Sequence, residues 1–143
     1  MPKLGYLVAS LAAICWGFVY AQTQTILDKI SPVAALSSFY MIGAVLLAPA
    51  FFLNQKEITS LILTNPGNFF LTIATTILAE FLIIWSISLL GGAEAAFIEI
   101  SYPLWTIVFS FLLLKFVPNA QVIFGGILIM IGSYIISKYS GIT

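Results

Sequence analysis

Residues 91–105 read GGAEAAFIEISYPLW, and the pair Gly91-Gly92 at their head decides how the chain is divided. Apolar segments stand on both sides of the pair. A helix running straight through it would give an even number of segments. Two consecutive glycines predict a very tight turn between two helices instead, and the count becomes odd. The same stretch raises a chemical question, because Glu94 and Glu99 sit in it among Ala, Phe and Ile, with Pro103 one helical turn beyond.

Working outward, the composition sets the class. Hydrophobic residues make up 62% of the 143 and charged residues 7%, with neither Arg nor His. A water-soluble domain carries about a quarter charged residues and could not cover its surface with so few. Apolar runs of about 20 residues recur along the whole chain, long enough to cross a bilayer as helices. The sequence is that of an all-α integral membrane protein. Its N-terminal MPKLGYLVASLAAICWGF has the basic start of a signal peptide, but the apolar run is too long and no small-residue cleavage site closes it. It reads as the first membrane helix.

Five spans fit the punctuation, at about 4–27, 32–53, 68–90, 93–116 and 119–138, in a single transmembrane domain over residues 1–143. Ser31 is placed as an N-cap with Pro32 at the first helical position. NQKEITSLILTNPGN is the one substantial loop, and its ITSLIL reads as a membrane-surface segment. Asn65-Pro66-Gly67 breaks the chain and Asn68 is positioned to cap the third span. Pro118-Asn119 separates the last two. Short connections and full-length spans suit a helical bundle rather than a barrel. Lys3, Lys56 and Lys115 fall on one side of the membrane, Lys29 and Lys138 on the other, a poor orienting bias that allows insertion both ways.

The lone Cys15 excludes an internal disulfide and a thiolate cluster, and no span holds His or Asp. Metal sites and nucleophilic triads are therefore not expected, nor is a cofactor, and the chain does not read as an enzyme. There is no basic patch for nucleic acid. The expressive groups are the acids inside the spans, since a charge at a helix centre costs about 3 kcal/mol or more in a bilayer. Glu80 lies mid-span, with Thr76 and Thr72 at four-residue steps on one side and Ser88 two steps the other way. Glu99 starts a similar stripe through Tyr102, Thr106 and Ser110, and Pro103 on the same side frees the Glu99 carbonyl and marks a helix kink.

Two readings stand for these acids. Either each hydrogen-bonds across the bundle and fixes packing, or they line a water-accessible cavity and bind a proton or a cationic substrate. The second is favoured for Glu80, then Glu99. Glu94, close to the turn, reads as interfacial. Trp16 and Tyr20 share a face of the first span, Tyr40 lies in the second, Trp85 in the third and Tyr102 in the fourth. Aromatic walls beside a carboxylate can hold an organic cation. The substrate or proton site expected from these patterns is Glu80, Glu99, Trp16, Tyr20, Tyr40, Tyr102 and Thr76, within a cavity lined by the first four spans. The fifth span carries Gly125, Gly126, Gly132 and Ser133, a pattern for close helix packing at the periphery or against a second copy.

Taken together, these residues resemble one repeat of the EamA type from the drug/metabolite transporter superfamily, over nearly the whole chain. The resemblance rests on Trp16-Gly17 in the first span, Pro32 leading into the second, and Ala93, Ala96 and Pro103-Leu104 in the fourth. The run Gly125 to Gly132 in the fifth completes it. Tyr40 stands where family members often carry a basic residue, and Lys115-Phe116 where they often show Gly-Glu. With no Arg, a strongly anionic substrate has no cation at membrane depth to hold it.

The resemblance implies a secondary transporter, commonly an exporter of a small cationic, zwitterionic or neutral metabolite or drug, in the cytoplasmic (inner) membrane of a prokaryote. The related small multidrug resistance proteins use a membrane-embedded Glu for proton–cation exchange. Such transporters mostly contain two inverted repeats, whereas one is seen here. An antiparallel homodimer, or pairing with an inverted paralogue, is the expected assembly, surrounded by membrane lipids. Two other roles are open: a flippase subunit for a lipid-linked sugar, and a non-transporting membrane assembly partner.

Overall fold

The computed structural model describes residues 2–115 and 117–139. Helix α1 runs Pro2–Leu27, α2 Pro32–Leu53, α3 Gln55–Thr64, α4 Pro66–Leu90, α5 Gly92–Glu99, α6 Tyr102–Leu114 and α7 Ala120–Tyr139, with no strand among the described residues. Among the described residues, five segments are long and apolar enough to cross a membrane: α1, α2, α4, α7, and α5 with α6 taken as one segment, Gly92–Leu114.

Local chemistry starts and stops these helices. Ser31 has extended backbone geometry and its hydroxyl accepts from the Ala34 N–H at 3.3 Å, with Pro32 behind it in the first turn. Proline there gives up only an N–H that has no intrahelical partner. Pro49 lies inside α2 and withholds one N–H from the ladder, yet the helix continues to Leu53. Asn54 then joins α2 to α3, its side-chain amide donating to the Ala50 carbonyl at 2.8 Å. The connection read as a loop therefore contains a ten-residue helix, α3, which packs on α2 and α4.

Two boundaries differ from expectation. The third span begins at Pro66 rather than at Asn68, because proline's fixed φ suits the first helical turn. Asn68 lies inside α4, where its carbonyl accepts from the Thr72 hydroxyl at 2.8 Å. The fourth span is not continuous over 93–116 but interrupted at Ile100–Ser101. Pro103 offers no N–H to the Glu99 carbonyl, so the preceding turn tightens: the Ser101 N–H bonds the Ile98 carbonyl at 3.2 Å and the Leu104 N–H the Ser101 carbonyl at 3.1 Å. The segment ends at Leu114, followed by Lys115 in the left-handed region at φ 56°. Phe116, placed in that span by sequence, lies outside the described residues. Asn119 caps α7, its side-chain oxygen accepting from the Val122 N–H at 2.9 Å.

Packing concentrates where α1, α4 and α5 meet. Tyr20, Ile87 and Ala95 form the buried cluster there, with Leu27, Ile83 and Ala96 against it. Gly91 has φ 86° and ψ 160°, a conformation essentially reserved for glycine. It turns the chain so that Gly92 meets α1 backbone to backbone: a Cβ on Gly92 would lie 2.6 Å from the Tyr20 carbonyl oxygen. The Gln24 side-chain oxygen accepts from the Gly92 N–H at 2.8 Å and ties the corner to α1.

Helix α7 packs on α5 and α6, outside this junction. Its Gly126 and Ser133 are buried, Gly126 facing the end of the Leu104 side chain, while a Cβ added at Gly125 or Gly132 would meet nothing within 4 Å. Most large apolar side chains point outward, the arrangement a lipid environment tolerates and water does not.

Candidate functional site

A cleft of about 180 Å³ opens between α1, α2 and α4. Helix α1 contributes Trp16, Val19, Tyr20 and Thr23, whose spacing of three and four residues places them on one face. Helix α2 contributes Phe39. Helix α4 contributes Glu80 and, at the same helical spacing, Ile83, Ile84 and Ile87.

Glu80 is the one charged residue of this lining, and it is half-buried. It stands about 15 Å along the α4 axis from Leu90 by the helical rise, well inside the span. The Trp16 and Tyr20 rings are tilted at 56° with centroids 6.2 Å apart. Tyr20 is 6% exposed, and its hydroxyl has no hydrogen-bond partner among the described residues. Thr23 is buried one turn further on. Tyr40 is exposed and within electrostatic reach of the Glu80 carboxylate, although Phe39 takes the place on the cleft wall. A carboxylate framed by apolar and aromatic walls can hold a proton or a small organic cation and offers nothing to an anion.

Of the residues singled out by sequence, the cleft brings together Trp16, Tyr20 and Glu80, with Tyr40 beside them. Thr76, Glu99 and Tyr102 lie outside it. The Thr76 hydroxyl donates to the Thr72 carbonyl at 2.8 Å, and Ser88 does the same to Trp85 at 2.6 Å. The polar stripe of α4 thus serves largely its own backbone. Glu99 is exposed at the last position of α5, and Tyr102 is 60% exposed at the start of α6.

The expected lining by four spans is corrected to three. The fourth closes against α1 through Gly92 and Ala95 and leaves no side chain for the cavity. Glu94 sits in the first turn of α5, where an acid complements the helix dipole. Trp85 packs on Phe81 at 5.8 Å and belongs to an apolar groove with Leu82 and Leu89, apart from Glu80.

Sequence reading missed Val19, Thr23, Phe39 and the three isoleucines. Thr23 was within reach, three residues from Tyr20 and seven from Trp16 on the same helical face. The isoleucines carry no signal that separates a cleft wall from a lipid-facing surface. Phe39 and Tyr40 are adjacent aromatics, and only the docking of α2 on α4 chooses between them.

The sequence pattern of the EamA-like transporter family matches residues 3–138, which reach into all five spans and include every residue of the cleft. No curated protein and no solved structure matches the chain.

Proposed function

Because the chain belongs to the EamA-like transporter family, a family of membrane transporters in the drug/metabolite superfamily, we propose that it moves a small cationic, zwitterionic or neutral metabolite or drug across the membrane. The observation that carries this reading is the cleft, in which Glu80 is the one charged group among Trp16, Tyr20 and Phe39. The carboxylate holds either a proton or the cationic end of the substrate. Competition between the two couples export to proton entry across the inner membrane of a prokaryotic cell.

A site near mid-span works in alternating access when two inverted repeats rock around it. The described helices make one repeat, and five crossings leave the ends of the chain on opposite sides. Lys3, Lys56 and Lys115 then face Lys29 and Lys138 across the bilayer, too even a balance to impose one orientation. The working unit proposed is an antiparallel pair of copies, or one copy with an inverted paralogue, with both clefts facing the shared axis.

Reconstituted protein tests the site. Glu80→Gln is expected to abolish pH-dependent uptake in proteoliposomes while the protein still folds. Unchanged transport at every pH would overturn the proton coupling. C-terminal fusions to a cytoplasm-only and a periplasm-only reporter test the assembly. Signal from both supports the antiparallel homodimer, and signal from one alone redirects the pairing to a paralogue. Insensitivity to Glu80→Gln in every assay would instead favour the flippase subunit or the non-transporting partner.

A further inference from the structure

The interruption in the fourth span sets Glu99 and Tyr102 on one face. Ile100 and Ser101 have φ/ψ of −58°/−7° and −71°/−13°, and the Ser101 N–H bonds the Ile98 carbonyl at 3.2 Å. In a turn tightened this way, side chains three residues apart eclipse, which aligns Glu99 with Tyr102. Both are exposed, Tyr102 to 60%. Among the described residues no hydrogen bond reaches either side chain; the Thr106 hydroxyl, one turn on, donates instead to the Tyr102 backbone carbonyl at 3.1 Å.

Depth gives that exposure its weight. Pro103 is the middle residue of the span Gly92–Leu114, and the midpoint of Glu99 and Tyr102 lies about 4 Å from it by the helical rise. An acid so far from either headgroup layer is costly against lipid, and such residues face protein or water and find partners. The patch is also complementary to itself. Tyr102 brings an O–H donor and Glu99 accepting oxygens, in either protonation state of the acid. A two-fold axis makes every contact reciprocal. With the axis in the membrane plane, passing between residues 99 and 102, each Glu99 meets the partner's Tyr102. Because the patch is near mid-span, both copies then sit at similar depth. A parallel two-fold would instead set the acids against each other.

We infer that the Glu99–Tyr102 face is the contact between antiparallel copies of this chain, each Glu99 carboxyl accepting from the partner's Tyr102 hydroxyl. This rests on the paired unit proposed above and names the surface that closes it. The test is self-association of the chain in lipid vesicles, read by energy transfer between copies carrying different fluorophores. Tyr102→Phe and Glu99→Leu are each expected to weaken pairing about tenfold, since each removes both symmetry-related hydrogen bonds and such bonds are individually modest in membranes. The double variant should pair no more weakly than either single one. Glu99→Gln keeps an accepting oxygen and should pair as the unmodified chain does.

Cross-linking reads the direction. On a Cys15→Ala background, Glu99→Cys chains mixed with Tyr102→Cys chains should form the mixed disulfide in preference to either like-with-like product. Predominance of the like-with-like products would overturn the inference. Pairing that withstands both Tyr102→Phe and Glu99→Leu would overturn it too, leaving the paired unit standing and the face open to lipid or a water path. Unmodified copies that do not associate at all would refute the pairing of identical copies and the inference together.

Discussion

Glu80 and Glu99 each place a carboxyl group in an otherwise apolar span, each begins or joins a stripe of hydroxyl residues, and the fold treats them differently. Glu80 is half-buried on the face of α4 that meets α1 and α2, in a cleft with aromatic walls. Glu99 ends α5 on an exposed surface, beside the interruption that Pro103 imposes. The glycine pairs divide in the same way. Gly91-Gly92 is required by backbone geometry, through the φ of 86° at Gly91 and the contact of Gly92 with the Tyr20 carbonyl. At Gly125-Gly126 a Cβ on the first residue would meet open space and one on the second only the movable end of Leu104. Similar local sequence has different consequences depending on which helix face the bundle closes.

The comparison makes ordered predictions. The largest effect is expected at Glu80. Glu80→Gln should take pH-dependent transport in proteoliposomes below detection, and an equal loss on Glu99→Gln would erase the distinction between the two acids. Gly92→Ala comes next. Its methyl group would press on the Tyr20 backbone, which cannot rotate away, and overpacking of this kind costs about 1–3 kcal/mol. Reversible unfolding in mixed micelles would measure it, and a neutral result would mean that the corner is looser than the 2.6 Å contact indicates.

Gly126→Ala should be milder. Leu104 can yield, and alanine regains up to about 1 kcal/mol of helix propensity, so the net change should stay within about 1 kcal/mol of zero. The same unfolding assay applies, and a cost equal to that at Gly92 would place a tight backbone contact on α7 as well. The smallest effect is expected at Glu99, where Glu99→Gln should leave amine binding within experimental scatter. A clear loss there would extend the site to the fourth span.

Much of this architecture was legible in the residues. The class follows from composition, because so few polar side chains cannot cover a domain in water. The five spans follow from apolar length together with Gly91-Gly92, Ser31-Pro32 and Pro118-Asn119. The helix in the 54–68 connection was read as a loop with a membrane-surface segment, although its ten residues are the most amphipathic of the described helices, and only the structure shows that it packs on α2 and α4. The interruption at Ile100–Ser101 was expected in kind from Pro103, but its extent depends on how the chain redistributes its hydrogen bonds. At the site, Glu80, Trp16 and Tyr20 were recognisable as residue types out of place in lipid. Thr76, Glu99 and Tyr102 carried the same signal and are not in the cleft.

The sequence by itself determined the membrane class, the number of spans, the alternating direction of the crossings and the capped helix start at Ser31-Pro32. Each is set by chain length, apolar content or the backbone chemistry of Gly, Pro, Ser and Asn, all local properties. Only the tertiary structure decided which face of α4 meets α1, that Phe39 rather than Tyr40 walls the cleft, and that the Tyr20 hydroxyl is buried unpaired. The physical reason is the solvent. In water, hydrophobicity separates a helix's inner face from its outer one. In a bilayer both faces are apolar, lipid suits Ile and Leu as well as a neighbouring helix does, and the choice of face rests on shape and close contact between helices.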